Sequence, residues 1–306
     1  MIYTLTTNPA IDLNISSNGI QSGVVNRTFS PIYTANGKGI NVSFVLKHFG
    51  VESRILGFFG GFTGRYIVEE AENKGVKVIP VWVDDITRIN IFLNDGEKEF
   101  KFVNEGAFVS EKQEQQMLEG IRNLDDMTCL AVSGSLSKGM DESFYDRLME
   151  ICREKKVKVI LDISSLKLRD LLQYGPYLIK PNDEEIKSIF GINMRDEKDV
   201  LDVMHMLREK GAQNILLTLG DRGSYFYNGK NTYFTSAQPV KLLSSACAGD
   251  SALAAFLSIW LFEKEKLEEA LKLSAATGAN VAESNAIGDL KKVDEYVKNI
   301  KVRKVE

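Results

Sequence analysis

Short apolar runs alternate with segments of helical period along almost the whole chain. Runs at 2–6, 53–59, 76–83, 129–133, 157–163, 177–180 and 215–219 are rich in aliphatic and β-branched residues and have strand length. Between them, Val42, Val45, Leu46 and Phe49 recur at helical spacing and are closed by Gly50, as Val200, Val203, Met204 and Leu207 are by Gly211. Strands that are apolar throughout must be covered on both faces, so the pattern predicts a mostly parallel sheet between two layers of helices.

Two regions leave this rhythm. The runs 89–93 and 99–103 flank Asn94-Asp95-Gly96, a strong hairpin signal, and residues 12–34 are polar with alternating β-branched positions. Together, segments of about 12–34 and 87–106 are expected to form a small β-sheet standing off the main one. A second hairpin is expected over 224–235, turning at Asn228-Gly229. With no internal repeat and no long linker, residues 1–306 read as one α/β domain with a β appendage.

Composition narrows the functions. The chain is 44% hydrophobic and 26% charged, which is ordinary for a globular protein, and carries a formal net charge of -4. That balance provides no basic field for nucleic acid or an anionic membrane, and neither partner is expected. The N-terminus lacks the pattern of a signal peptide, and no run approaches membrane-spanning length. The cysteines Cys129, Cys152 and Cys247 are scattered and odd in number, and only His48 and His205 offer imidazole. A disulfide framework or zinc site is therefore not expected, and a reducing cytoplasm is the simplest location.

Several constellations can carry chemistry. Ser-Ser-Ala-Cys-Ala-Gly-Asp-Ser, residues 244–251, sets one carboxylate, Asp250, behind small residues where an apolar helix begins. Amides at a helix start lack intrahelical acceptors, so the stretch Cys247, Ala248, Gly249 suits an anion, and a carboxylate there can accept a hydroxyl proton. Asp250 equally reads as an ordinary first-turn acid. Thr-Ala-Asn-Gly-Lys-Gly-Ile-Asn, residues 34–41, places Lys38 between Gly37 and Gly39 at another helix start, without Walker A spacing. The glycines of 57–64 read as a tight turn, and GxGxxG is absent, which disfavours a dinucleotide-binding oxidoreductase. Asn182 and Glu185 read as a capping box, and Thr218-Leu219-Gly220 with Gly223 as a turn at a strand's carboxyl end.

The order of these signals is more specific than any one of them. Asn8-Pro9-Ala10-Ile11-Asp12, Asn36-Gly37-Lys38-Gly39-Ile40-Asn41-Val42-Ser43, Thr87-Arg88-Ile89-Asn90, Ser133-Gly134-Ser135-Leu136, Lys180-Pro181-Asn182 with Glu185, Thr218-Leu219-Gly220 and Ala248-Gly249-Asp250-Ser251 follow in turn. Over nearly the whole chain this series resembles the PfkB branch of the ribokinase superfamily, and within it the fructose-1-phosphate kinase and tagatose-6-phosphate kinase subgroup. The resemblance implies a ribokinase-like three-layer α/β/α domain with a β-sheet lid, whose exposed face is a candidate surface for pairing two copies. It implies transfer of the ATP γ-phosphoryl group, with Mg2+, to a hydroxyl of fructose 1-phosphate or tagatose 6-phosphate. By resemblance, Asp250 is the base, and the amides around Cys247, Ala248 and Gly249 form the anion hole. Asp12 and Asn41 hold sugar hydroxyls; Gly37, Lys38, Arg88 and Lys101 belong to the substrate site, the three cations on its phosphate. Asn182, Glu185, Thr218, Gly220, Gly223 and Asn280 serve the nucleotide, Glu185 also meeting the metal through water.

Three residues depart from the family pattern. Cys247 replaces the first glycine of the anion hole, Asn36 the first glycine before Lys38, and Phe44 a customary arginine. A left-handed backbone at Cys247 would cost on the order of 1–2 kcal/mol, while Asn36 would tolerate such a conformation. Cys247 leaves a catalytically silent sensor of nucleotide or sugar phosphate as the alternative. Its place at a helix start also predicts an activated thiol.

Overall fold

The computed structural model describes residues 1–306. Its larger sheet comprises β1 (Ile2–Thr6), β4 (Ser53–Gly60), β5 (Lys77–Val83), β8 (Cys129–Ser133), β9 (Lys158–Asp162), β10 (Leu178–Ile179), β11 (Ile215–Thr218), β12 (Ser224–Tyr227), β13 (Thr232–Thr235) and β14 (Val302–Lys304). The strands lie in the order β14-β13-β12-β11-β10-β9-β8-β1-β4-β5. Every pairing from β11 to β5 is parallel, and β12 to β14 extend one edge antiparallel. The smaller sheet has β2 (Ala10–Ser17), β3 (Thr28–Asn36), β6 (Arg88–Asn94) and β7 (Glu99–Phe102), in the order β3-β2-β6-β7. The helices are α1 (Lys38–His48), α2 (Gly61–Asn73), α3 (Glu111–Arg122), α4 (Ser143–Glu154), α5 (Leu168–Leu171), α6 (Asp183–Glu185), α7 (Glu197–Glu209), α8 (Ala248–Trp260), α9 (Leu267–Ala282) and α10 (Val293–Val297).

Strand alternation divides the core. Tyr3, Leu5, Leu130, Val132, Val159, Leu161, Ile215 and Leu217 join Leu118 of α3, Leu148 of α4 and Leu207 of α7 on one face. Their chain neighbours Ile2, Cys129, Ala131, Ile160 and Leu216 join Val45 of α1, Leu253 of α8 and Leu271 of α9 on the other. Both faces are therefore dry, which is why these strands read as unbroken apolar runs. A third cluster sets Ile40 and Phe44 of α1 and Ile67 of α2 against Ile11 and Ala35 at the root of the small sheet. Phe44 thus packs in a core, remote in role from the arginine it replaces.

The elements differ from the expected ones in a few places. The strand expected over 177–180 keeps two paired residues, bracketed by Pro176 and Pro181, which have no N–H to give a ladder. The short edge strand β14 was beyond the reach of periodicity, having three residues. The polar segment from 12 to 34 becomes two strands, and β2 pairs parallel with β6. That register puts Asp12 opposite both Thr34 and Asn90, and Ala10 opposite Asn36 and Arg88, so these side chains share one face of the small sheet. No helix is long and apolar enough to cross a membrane.

Candidate active site

The carboxyl ends of the parallel strands converge where ligands bind in open α/β sheets. A cavity of about 280 Å³ opens there, lined by Thr6 and Asn8 after β1, Ser133, Gly134 and Ser135 after β8, and Ser164 after β9. From the small sheet and the start of α1 come Ala10, Asn36, Gly37, Lys38, Arg88 and Asn90.

Helix α8 enters this region by its N-terminus. Its cap residue, Cys247, is left-handed, with φ 63 and ψ -13, so the side chain does stand where the backbone favours glycine. The first helical bond runs from the Ser251 N–H to the Cys247 carbonyl, and the N–H groups of residues 247–250 find no acceptor in the protein. Four free donors at the positive end of a helix make a cradle for an anion. Gly249 keeps it open: a Cβ there would meet Lys180 Nζ at 3.3 Å.

Asp250, third residue of α8, is 6% exposed, and its Oδ2 accepts from Asn41 Nδ2 at 2.9 Å. Burial, then the nearby charge of Asp162, pushes its carboxyl up to about 6, against the pull of Lys38. Asn41 Nδ2 also donates to Asn36 Oδ1 at 2.8 Å, and Asn36 Nδ2 donates to Asp12 Oδ2. Asn90 Nδ2 holds the other Asp12 oxygen at 2.9 Å. A continuous polar chain therefore runs from Asp12 through Asn36 and Asn41 to Asp250. Asn36 ends a strand and is not left-handed; its carboxamide, rather than its backbone tolerance, is what it contributes.

Lys38 opens α1, where the chain passes so close to β1 that a Cβ on Gly37 would sit 2.5 Å from Thr6 Cγ2 and one on Gly39 2.9 Å from the Leu5 carbonyl oxygen. Its ammonium lies 3.5 Å from Asp162 Oδ1, and Lys180 Nζ lies 3.2 Å from the same oxygen. The Asp162 charge, with Asp250 and Glu185, holds the Lys38 ammonium well above its ordinary range. Burial alone would raise Asp162, but Lys180 and Lys38 outweigh it and keep the carboxyl below its usual range. Neither Asp162 oxygen makes a regular hydrogen bond, although the residue is 1% exposed. Asn182 and Glu185 form the expected capping box, at 2.8 and 3.0 Å, and the second Glu185 oxygen takes the Ser164 hydroxyl. No cluster of three or more His, Cys, Asp or Glu is preformed. Asp162, whose Oδ2 has no partner, and Glu185 would suit magnesium bound through water.

Other expected residues are placed as follows. Arg88 lines the cavity and holds the Asn8 and Asn104 carbonyls at 3.0 and 3.1 Å. Thr218 ends β11 beside Asn182, and Gly220, with φ 60, has open space around it. Gly223 is required by packing, since a Cβ there would meet the Thr235 carbonyl oxygen at 2.3 Å. Lys101 shares the inner face of the small sheet but is half exposed, paired with Glu99 at 3.1 Å and outside the cavity. Asn280 Oδ1 accepts from the Lys292 amide at 3.3 Å and its Nδ2 lies 3.5 Å from the Ser284 hydroxyl, tying α9 to the loop that follows. The Cys247 thiol is not activated: burial, then Asp250 and Asp12, pushes it far above its ordinary value. The glycines at 60 and 61 serve packing against residues 85–87.

Asp162, Lys180 and Ser164 were not singled out from the sequence. An acid ending a wholly apolar strand was the available signal for Asp162; Lys180 stood in a quoted motif without a role.

Comparisons with known proteins place the chain in a family. Residues 5–292 match the model of the pfkB family of carbohydrate kinases. The chain is 46% identical over 302 residues to a D-tagatose-1-phosphate kinase of Klebsiella oxytoca, covering 99% of each. It is 33% identical over 307 residues to a 1-phosphofructokinase of Borreliella burgdorferi, covering 100% of this chain and 99% of that one. The solved phosphofructokinase-2 of Escherichia coli in complex with fructose-6-phosphate superposes with a TM-score of 0.87 at 27% identity, covering 97% of this chain and 99% of that one. Sequence and fold agree along the full length: this chain belongs to the pfkB family of carbohydrate kinases.

Proposed function

We propose that this carbohydrate kinase transfers the γ-phosphoryl group of ATP to the carbon-6 hydroxyl of a ketohexose 1-phosphate, either D-tagatose 1-phosphate or D-fructose 1-phosphate. The observation that carries the proposal is the set of four unused N–H groups at residues 247–250, next to a buried carboxylate. The sequence resemblance pointed to fructose 1-phosphate or tagatose 6-phosphate; relatives named for tagatose 1-phosphate and fructose 1-phosphate support a 1-phosphate acceptor.

Phosphoryl transfer passes through a loose transition state, so positioning and charge neutralisation supply most of the catalysis. Asp250 accepts the proton of the attacking hydroxyl, oriented by Asn41. The amides of Cys247, Ala248 and Gly249 bind the moving phosphoryl oxygens, with Lys180 beside them. Asp12 and Asn41 hold the sugar, and Lys38 and Arg88 attract its phosphate. Thr218 and Gly220 line the nucleotide site with Asn182. Asp162 and Glu185 would hold magnesium, which would supply charge neutralisation on the nucleotide phosphates. In this proposal residues 1–306 are one kinase domain, the small sheet is its lid, a cytoplasmic setting suits its free thiols, and two copies pair through their lids.

The test is ADP release with ATP, Mg2+ and each of D-tagatose 1-phosphate, D-fructose 1-phosphate, D-tagatose 6-phosphate and the unphosphorylated sugars. Turnover confined to the 1-phosphates is expected. Tight binding without ADP release would instead identify a silent sensor.

A further inference from the structure

Two of the three departures from the family pattern meet in one place. Asn36 and Cys247 stand where the family carries glycine, and their side chains are neighbours, with Cys247 Sγ 3.9 Å from Asn36 Nδ2 and 3.3 Å from Asn41 Nδ2. Neither is demanded by the backbone. Asn36 is extended, and Cys247 is held left-handed, a conformation that glycine adopts more easily.

Their common effect falls on Asp12. One Asp12 oxygen is held by Asn90 and the other by Asn36, so the carboxylate plane is fixed from both sides. Asn36 is itself pinned, its Oδ1 accepting from the Gly37 N–H at 2.5 Å and from Asn41 Nδ2 at 2.8 Å. The Cys247 sulfur packs against this pair and fills space that a glycine leaves open, so Asn36 cannot swing aside. A carboxylate locked in this way keeps a free lone pair on each oxygen. Two hydroxyls on the same face of a furanose ring can reach both oxygens together. Hydroxyls on opposite faces diverge and meet a carboxylate held in one plane less squarely, and a poorly paired oxygen is how a polar site disfavours a near-isomer.

Tagatose and fructose differ only at carbon 4. In the furanose ring the hydroxyls on carbons 3 and 4 are cis in tagatose and trans in fructose. We propose that Asn36 and Cys247 act as a specificity pair, locking Asp12 so that the site accepts the ketohexose 1-phosphate with a cis 3,4-diol in preference to its carbon-4 epimer. The proposal rests on the kinase reading above and narrows it to one configuration.

Steady-state kinetics on D-tagatose 1-phosphate and D-fructose 1-phosphate test it, using the wild type, Asn36→Gly, Cys247→Gly and the double variant. The wild type is expected to favour the tagatose compound at least tenfold in kcat/KM. Each glycine should shrink that ratio, and the double variant should bring it within about threefold of unity. Glycine suits both backbones, and Cys247→Ala, which keeps Cβ and removes only the sulfur, should give an intermediate ratio. A wild type that favours fructose 1-phosphate, or a ratio unmoved in the double variant, overturns the selection while leaving the kinase reading intact. Turnover of neither sugar phosphate removes the kinase reading, and the selection falls with it.

Discussion

At the residue scale, Asp250 ties catalysis to a stability cost. Its folded pKa of about 6 lies above the ordinary value of 3.8, chiefly through burial. Folding therefore favours the protonated form, and the stability this lends at low pH is lost as pH rises through about 6. By pH 8 the ionised carboxylate costs the fold about 3 kcal/mol. Asp250→Asn should melt higher than the wild type at pH 8, and the gap should shrink to a few tenths of a kcal/mol near pH 4. The same substitution should lower kcat by about 100-fold or more while ATP still binds. In the wild type, kcat/KM should fall on the acid side with an apparent pKa near 6, because the base must be ionised to accept a proton. Equal melting curves at pH 8, or unchanged turnover, would contradict the assignment.

At the element scale, the start of α8 separates stability from activity. Glycine weakens a helix by up to about 1 kcal/mol relative to alanine, so Gly249→Ala should leave the melting temperature unchanged or raise it. The added methyl would stand 3.3 Å from Lys180 Nζ and inside the cradle, and kcat should drop at least tenfold. A stable, fully active Gly249→Ala protein would show that the cradle is not used. The elements themselves were legible because burial on both faces of β1, β8, β9 and β11 leaves an unbroken apolar run that needs no partner to be recognised. The helix starts at Lys38 and Ala248 were legible because small residues and glycine cluster there. Asp162 and Lys180 were not, since their meaning depends on β9 and β10 lying side by side, a long-range pairing that no local spacing encodes. Lys101 failed in the opposite way: register carried it to the inner face, but one strand too far out to reach the cavity.

At the scale of the whole molecule, the small sheet leaves an apolar row exposed in a single copy of the chain. Its inner face holds Asp12, Asn90 and Arg88 over the cavity, while the register lines up Tyr33, Leu13, Ile91 and Phe102 in a row across the opposite face. Tyr33 and Phe102 at the ends of that row are each 52% exposed, and the adjoining Val103 is 64% exposed. An apolar row of this kind on a sheet that packs against its own helices only at its root invites a second sheet face to face. A twofold dimer would bury the row against its own copy. Sedimentation should find a dimer for this chain at micromolar concentration. Ile91→Asp, which sets a charge in the middle of the row, should give a monomer whose melting temperature falls only modestly, because Ile91 lies outside the three buried clusters. Its KM for the sugar phosphate should rise at least tenfold, since Asp12 and Asn90 ride on the sheet that the partner steadies, whereas the KM for ATP, whose binding residues lie on the main sheet, should change little. An Ile91→Asp protein that remains dimeric would remove this face from the interface, and a monomer with an unaltered sugar KM would show that the lid stands without its partner.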